Sequence, residues 1–289
     1  MNEQFQLPDG TMVGTGNIAP EAPRMLYAEL PENLLLDNDE IERMLPAGFY
    51  EGERAYYRKW MINQGQIGKC NTSAAVGAEY RIREIQGYEH VALADNHLYW
   101  RINGGKDRGS MLDDGMLEVE SRGVCRRVLD SGTVPHNAVS ERDVSDQMRT
   151  EANQDGPNYR THEPWRIPLG ANFARAIASC LARRYPIIMA WHVGNNSMRL
   201  QNGYAQQGRG PGNHASFFHC GKFVGGQDIV HPDLCNSWGP VANELYGSKG
   251  GGWGEGGFGL MTMDGAEYCC QNHAFYAITS AHDNTPVLT

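Results

Sequence analysis

A thiol at the start of a helix, a glutamine six residues before it, a histidine ahead of an apolar strand and an asparagine beside a tryptophan supply the parts of an acyl-transfer site. The thiol is Cys70, in Asn63-Gln64-Gly65-Gln66-Ile67-Gly68-Lys69-Cys70. A nucleophilic thiol needs a lowered pKa, and the partial positive charge at a helix N-terminus lowers it. Acyl transfer also needs donors aimed at the developing oxyanion. The Gln64 side-chain amide, reached through a Gly-x-x-Gly turn, and the Cys70 backbone N–H are the two candidates. His214, in Gly212-Asn213-His214-Ala215 just before Phe217-Phe218, is the candidate base. An imidazole must be held in one tautomer by a third group. Asn236, in Asn236-Ser237-Trp238-Gly239, is placed to do so, with Trp238 shielding that hydrogen bond from water.

Rival groups carry less chemistry. His219 and His231 lack the Gly-Asn-His-Ala setting, and Cys235 reads as packing. Cys269-Cys270 with His273 falls short of a four-ligand metal site, so no metal and no cofactor is expected. Gly250-Gly251-Gly252 lacks the Lys-Ser/Thr and helix of a phosphate loop. Asp113-Asp114 reads as a solvated helix start.

These groups need elements to position them. Apolar residues between Ala74 and Ile85 cover most of a helix circumference, which predicts a helix buried on several sides, with Asn71, Thr72 and Ser73 as capping types and Gly87 past its end. Further helices are expected near Asn38–Met44, over Met111–Arg122 behind a turn at Asn103–Gly109, and over Ala171–Arg184. Pro186 stops the last, and Ile187–Trp191 reads as a buried strand. A second strand is expected near Ala215–Cys220, followed by a glycine-dense stretch from Gly247 to Gly259. Helices first and strands second predict an α+β protein with segregated lobes.

The bulk numbers exclude other classes. The chain has 289 residues, enough for one large domain or two lobes around a cleft. Its net charge is −9 with no basic block, which argues against nucleic-acid binding. No apolar run is long enough to span a membrane. Met1–Pro20 lacks a secretory pattern, so a cytoplasmic location is expected. The 7 cysteines are an odd number, spread along the chain, which suits free thiols better than a disulfide framework.

Asn-Gln-Gly-x-x-Gly-x-Cys, a His before an apolar strand, Asn-Ser-Trp-Gly, and then Trp253-Gly254-Glu255-Gly256-Gly257-Phe258-Gly259 resemble, in that order, the papain-like cysteine peptidase family. That family's His and Asn follow its Cys by roughly 130–150 residues. His214 fits, and Asn236 falls slightly late, as a longer loop between Phe217 and Cys235 would explain. The likeness spans roughly residues 45 to 280. It implies a papain-like two-lobed fold, with a helical lobe over about 60–165, a β-barrel lobe over about 166–285, and the active site in the cleft between them. Residues 46–289 would form the peptidase domain, and 1–45 an N-terminal extension or short pro-arm that inhibits or docks.

The resemblance implies a Cys70–His214–Asn236 triad with Gln64 in the oxyanion hole, and a peptide or protein substrate. Gly109 and Ser110 would bond an extended peptide. Met111, Leu112, Ala190 and Ala215 would line an apolar pocket, with Asn213 and Trp238 also beside the substrate. Two departures stand out. Asn71 replaces the Trp common after the nucleophile, and Ile67 the Cys that usually forms a disulfide, a pattern closer to bacterial and bacteriophage relatives. The alternative is a virion-associated structural component of the same fold, docking an assembly partner through the N-terminal arm.

Overall fold

The computed structural model describes residues 3–19, 27–162, 164–239 and 253–283. The early helices are α1 (Asn38–Met44), α2 (Phe49–Tyr57), α3 (Cys70–Ile85), α4 (Asp95–Ile102), α5 (Leu112–Ser121) and α6 (Asp146–Asp155). Two follow later: α7 (Phe173–Ala182) and α8 (Met263–Asn272). Local chemistry accounts for several starts. Asp37 caps α1 in a reciprocal box with Glu40, and the Ser145 hydroxyl accepts from the Met148 N–H at the head of α6. The helix expected from Ala74 begins at Cys70, so Asn71, Thr72 and Ser73 form its first turn rather than its cap.

A short hairpin joins β1 (Gln4–Gln6) to β2 (Met12–Gly14), and another joins β3 (Val128–Leu129) to β4 (Gly132–Thr133). Strand β5 (Tyr159–His162) crosses to pair with β12 (Ser280–Asp283). The main sheet takes β6 (Trp165–Arg166), β7 (Ile187–Trp191), β8 (His214–Gly225), β9 (Ile229–Cys235), β10 (Phe258–Leu260) and β11 (Tyr276–Ala277). Its order is β10-β9-β8-β7-β11-β6, and every pairing is antiparallel. The strands thus follow the helical region, as expected for α+β. The barrel anticipated from the resemblance is an open six-stranded sheet among the described residues. The long loop anticipated between Phe217 and Cys235 is instead the β8–β9 hairpin, whose strands are long because the pairing continues to Gly225↔Ile229. The glycine-dense stretch expected from Gly247 lies partly outside the described residues.

Helix α3 packs across β8 at close range. A Cβ on Gly77 would collide with the Phe217 ring, and the Tyr57 hydroxyl donates to the Gly77 carbonyl at 2.6 Å. One apolar cluster fills the contact between helix and sheet, with Cys70, Val76, Leu112, Ala190, Ala215 and Phe217 among its members. A second lies behind the sheet against α7 and includes Leu30, Leu36, Ile41 and Leu45. The first 45 residues therefore divide. The part from Leu30 onward belongs to a core, and Leu36 N–H donates to Ser179 Oγ at 2.8 Å. Residues 3–19 join the same cluster through Leu7 and Val13, and their segment 14–18 crosses the front of the molecule.

Candidate active site

Cys70 is the first residue of α3 and is fully buried. His214 opens β8, and Asn236 follows the last residue of β9. Antiparallel pairing brings the start of one strand beside the end of the other, so residues distant in sequence become neighbours. His214 Nε2 lies 2.8 Å from Asn236 Oδ1. That contact fixes the ring proton on Nε2, because a carboxamide oxygen only accepts. His214 Nδ1 has no hydrogen-bond partner in the structure, which leaves its lone pair for a proton from elsewhere. Trp238 stacks on the imidazole with ring centroids 4.1 Å apart. Asn236 N–H donates to the Gly257 carbonyl at 2.9 Å, tying the asparagine to the glycine-rich turn.

Ser237 has a role the sequence did not suggest. Its hydroxyl donates to Gln64 Oε1, so the amide can only present Nε2 toward the cleft. Gln64 N–H also donates to the Ser237 carbonyl at 2.9 Å. The Asn-Ser-Trp-Gly segment thus orients both the His214 ring and the Gln64 amide.

Residues 14–18 run through this site. Gly14 O accepts from Gln64 Nε2 at 2.9 Å and from Trp238 Nε1 at 3.1 Å. Ser110 N–H donates to Gly16 O at 2.8 Å and Ile18 N–H to Ser110 O at 2.9 Å, a parallel bridge centred on Asn17. Asn17 N–H donates to Asn213 O at 3.0 Å, and its side chain to Gly212 O at 2.8 Å. The approach is backbone on backbone. A Cβ on Gly16 would collide with the Gly68 carbonyl, and one on Gly109 with the Gly16 carbonyl. The arm therefore takes up donors and acceptors at Gln64, Ser110, Asn213 and Trp238, groups expected beside a peptide, whereas the Gly109 N–H donates to the Tyr99 hydroxyl at 3.1 Å.

Burial sets the charge state. It pushes the Cys70 thiol up to about 11, although backbone groups of Ala215 and Gly16 favour the thiolate. Burial likewise pushes His214 down to about 3, against the hydrogen bond to Asn236. The covered site holds a neutral thiol and a neutral imidazole at neutral pH.

Leu112, Ala190 and Ala215 share one buried cluster with Cys70, and Ala190 pairs with Ala215 across β7 and β8. Met111, half-buried, caps α5 beside them. Asp113 is not the solvated residue expected. It is buried and accepts from the Tyr276 hydroxyl at 2.8 Å, because α5 turns that face toward the sheet. His273 accepts the Gly212 N–H on Nε2 at 2.8 Å, bracing the segment that leads to His214. Among the described residues no group of metal-binding side chains forms. No described helix is long and apolar enough to cross a membrane. The arm contacts escaped sequence reasoning because Gly14-Thr15-Gly16-Asn17 carries no pattern of its own; its two glycines were the one available signal.

The chain has the papain-like cysteine protease fold. It is similar to xylellain, a cysteine protease from Xylella fastidiosa, at a TM-score of 0.62 and 19% identity over 97% of this chain and 98% of that one. A procathepsin B from Trypanosoma congolense superposes at 0.62 with 13% identity, covering 92% and 86% of the two chains. A recombinant stem bromelain precursor gives 0.54 with 16% identity, covering 93% and 79%. No family model matches the chain, and no curated protein matches it.

Proposed function

We propose that the chain is a cysteine peptidase whose cleft is closed by its own residues 3–19. The observation that carries the reading is the His214–Asn236 hydrogen bond at 2.8 Å, which leaves Nδ1 unpartnered while the backbone of the next residue, Ala215, reaches the Cys70 thiol. In the open enzyme, Cys70 passes its proton to His214 Nδ1 and the thiolate attacks a peptide carbonyl carbon. The oxygen takes the negative charge and is met by Gln64 Nε2 and the Cys70 N–H. Collapse breaks the C–N bond, and His214 returns its proton to the departing amine. Water, activated by the same imidazole, then hydrolyses the thioester.

The arm accounts for why the covered site is unreactive. It occupies Gln64 with the Gly14 carbonyl and excludes water from the pair that must ionise. Two of the structural neighbours are themselves described as a precursor and a pro-form, which agrees with a self-covered state. Because Gly16 tolerates no side chain, Gly16→Ala is expected to lift residues 14–18 off the site while Leu7, Val13 and the segment from Leu30 onward stay in the core. Iodoacetamide should label Cys70 in that variant at least tenfold faster than in the parent, and peptides should be turned over unless Cys70→Ala is added. Rapid Cys70 labelling with no turnover of a diverse peptide library would overturn the peptidase reading.

A further inference from the structure

We infer that Asp95, with its partner Lys69, is a positioning clamp for the nucleophile, gripping the chain on both sides of Cys70. The inference rests on the peptidase reading and goes beyond it. Lys69 immediately precedes Cys70, and Ser73 lies one turn after it. The Ser73 hydroxyl donates to Asp95 Oδ2 at 2.7 Å. Lys69 Nζ lies 3.2 Å from Asp95 Oδ1 and 3.1 Å from Oδ2. One carboxylate at the first residue of α4 thus holds the residue before the thiol and the residue three after it.

The rest of the cluster makes this a built arrangement. Lys69 Nζ also donates to Asn96 Oδ1 at 2.7 Å and to the His136 carbonyl at 3.2 Å, with His136 Nδ1 3.3 Å away. Asn96 is held in turn by the carbonyls of His136 and Ala138, each at 2.7 Å. Lys69 and Asp95 are both fully buried. Burial opposes the Asp95 charge, yet Lys69 and Ser73 outweigh it and keep the carboxyl below its usual range. Helix α4 also steadies the preceding turn. Tyr99 donates to Asp107 Oδ1 at 2.6 Å, and the same oxygen accepts the Gly68 N–H at 2.9 Å.

A buried ion pair rarely adds stability over a well-packed apolar substitute. What it adds is direction: hydrogen bonds fix two flanking residues at set distances, whereas apolar contacts permit sliding. The nucleophile's own side chain cannot be held this way without blocking its chemistry. Gripping its neighbours fixes the angle at which the thiol meets His214, and catalytic rates are steep in that geometry.

The test uses Ser73→Ala, Asp95→Asn and Asp95→Ala in the Gly16→Ala full-length chain. Peptide turnover, iodoacetamide labelling of Cys70 against pH, and thermal melting are read for each. Ser73→Ala should melt within a few degrees of its parent yet lose about tenfold in kcat with KM unchanged within twofold. The acid limb of its labelling profile should move to higher pH, because a misdirected thiolate loses its imidazolium partner. Asp95→Asn, which keeps an acceptor, should lose less than Asp95→Ala. A folded Ser73→Ala protein with the parent's kcat and labelling profile would overturn the clamp while leaving the peptidase reading intact. A parent with no selective Cys70 labelling would overturn that reading and the clamp with it.

Discussion

Cys70 and His214, on opposite walls of the cleft, are held in place by different forces. On the helical wall, Cys70 is flanked by a buried charged cluster in which Lys69 and Asp95 are fully enclosed. On the sheet wall, His214 sits among aromatic rings, with Trp238 stacked at 4.1 Å and Trp191 edge-on at 6.1 Å, and bonds one neutral carboxamide. The contrast follows from the backbone on each side. Strand β8 is fixed by ladders to β7 and β9, so register alone places His214 and packing completes the job. The loop from Gln64 to Lys69 has no ladder, so side-chain bonds must do what the sheet does opposite.

The largest effects should come from groups that touch the reacting atoms. In the Gly16→Ala chain, His214→Ala should lower kcat on a peptide substrate by roughly 10³-fold or more, as expected for loss of a general base in a triad. Asn236→Ala should cost less, about 10–100-fold, because Trp238 still holds the ring. Equal losses would mean that the stack does no orienting.

Stability should separate the walls next. Lys69→Met leaves the Asp95 carboxylate buried without its cation and should destabilise by about 3–5 kcal/mol in denaturant titration. Asn236→Ala breaks a neutral bond on the other wall and should cost about 1–3 kcal/mol. A reversal of that order would break the contrast between charged and neutral support.

Acid should affect both walls alike. Burial pushes His214 on the sheet wall down to about 3 and His273 behind it down to about 4. Burial together with Lys69 pushes His136 on the helical wall down to about 4. Each is neutral when folded and protonates more readily when unfolded, near 6.5. Their contribution is present above about pH 6.5 and is lost as pH falls toward the folded values. Melting temperature should drop on the order of 10 °C between pH 7 and pH 4. A melting temperature unchanged over that range would show that these imidazoles are hydrated.

The smallest effect concerns the arm. Trp238→Phe keeps the stack and loses the 3.1 Å bond to the Gly14 carbonyl. One neutral hydrogen bond of about 0.5–1.5 kcal/mol corresponds to Cys70 labelling faster by roughly 2–10-fold in the otherwise unaltered chain. No change would mean that the Gln64 bond holds Gly14 without help.

Some of this was written in local sequence. The periodicity from Ala74 to Ile85 and the apolar run Ile187–Trp191 predicted α3 and β7, because burial of a face leaves a repeat that needs no partner to be seen. The order of the Gln64, Cys70, His214 and Asn236 motifs pointed to the fold for the same reason: each motif is short and carries its own chemistry. Helices α2, α4, α6 and α8 went unread, since polar residues such as Arg54 and Asp95 interrupt their apolar faces and find partners only across the fold.

Tertiary structure alone decided the rest. It closed Lys69 onto Asp95, turned Asp113 inward to Tyr276, and laid Gly16 between Gly68 and Gly109. These contacts join residues far apart in the chain, and the groups that meet are ordinary by type: a lysine, two aspartates, three glycines. What sequence determines by itself is which chemistry is present and which local elements carry it. Whether the site stands open or covered depends on where a patternless segment finds hydrogen bonds, and only the folded chain supplies them.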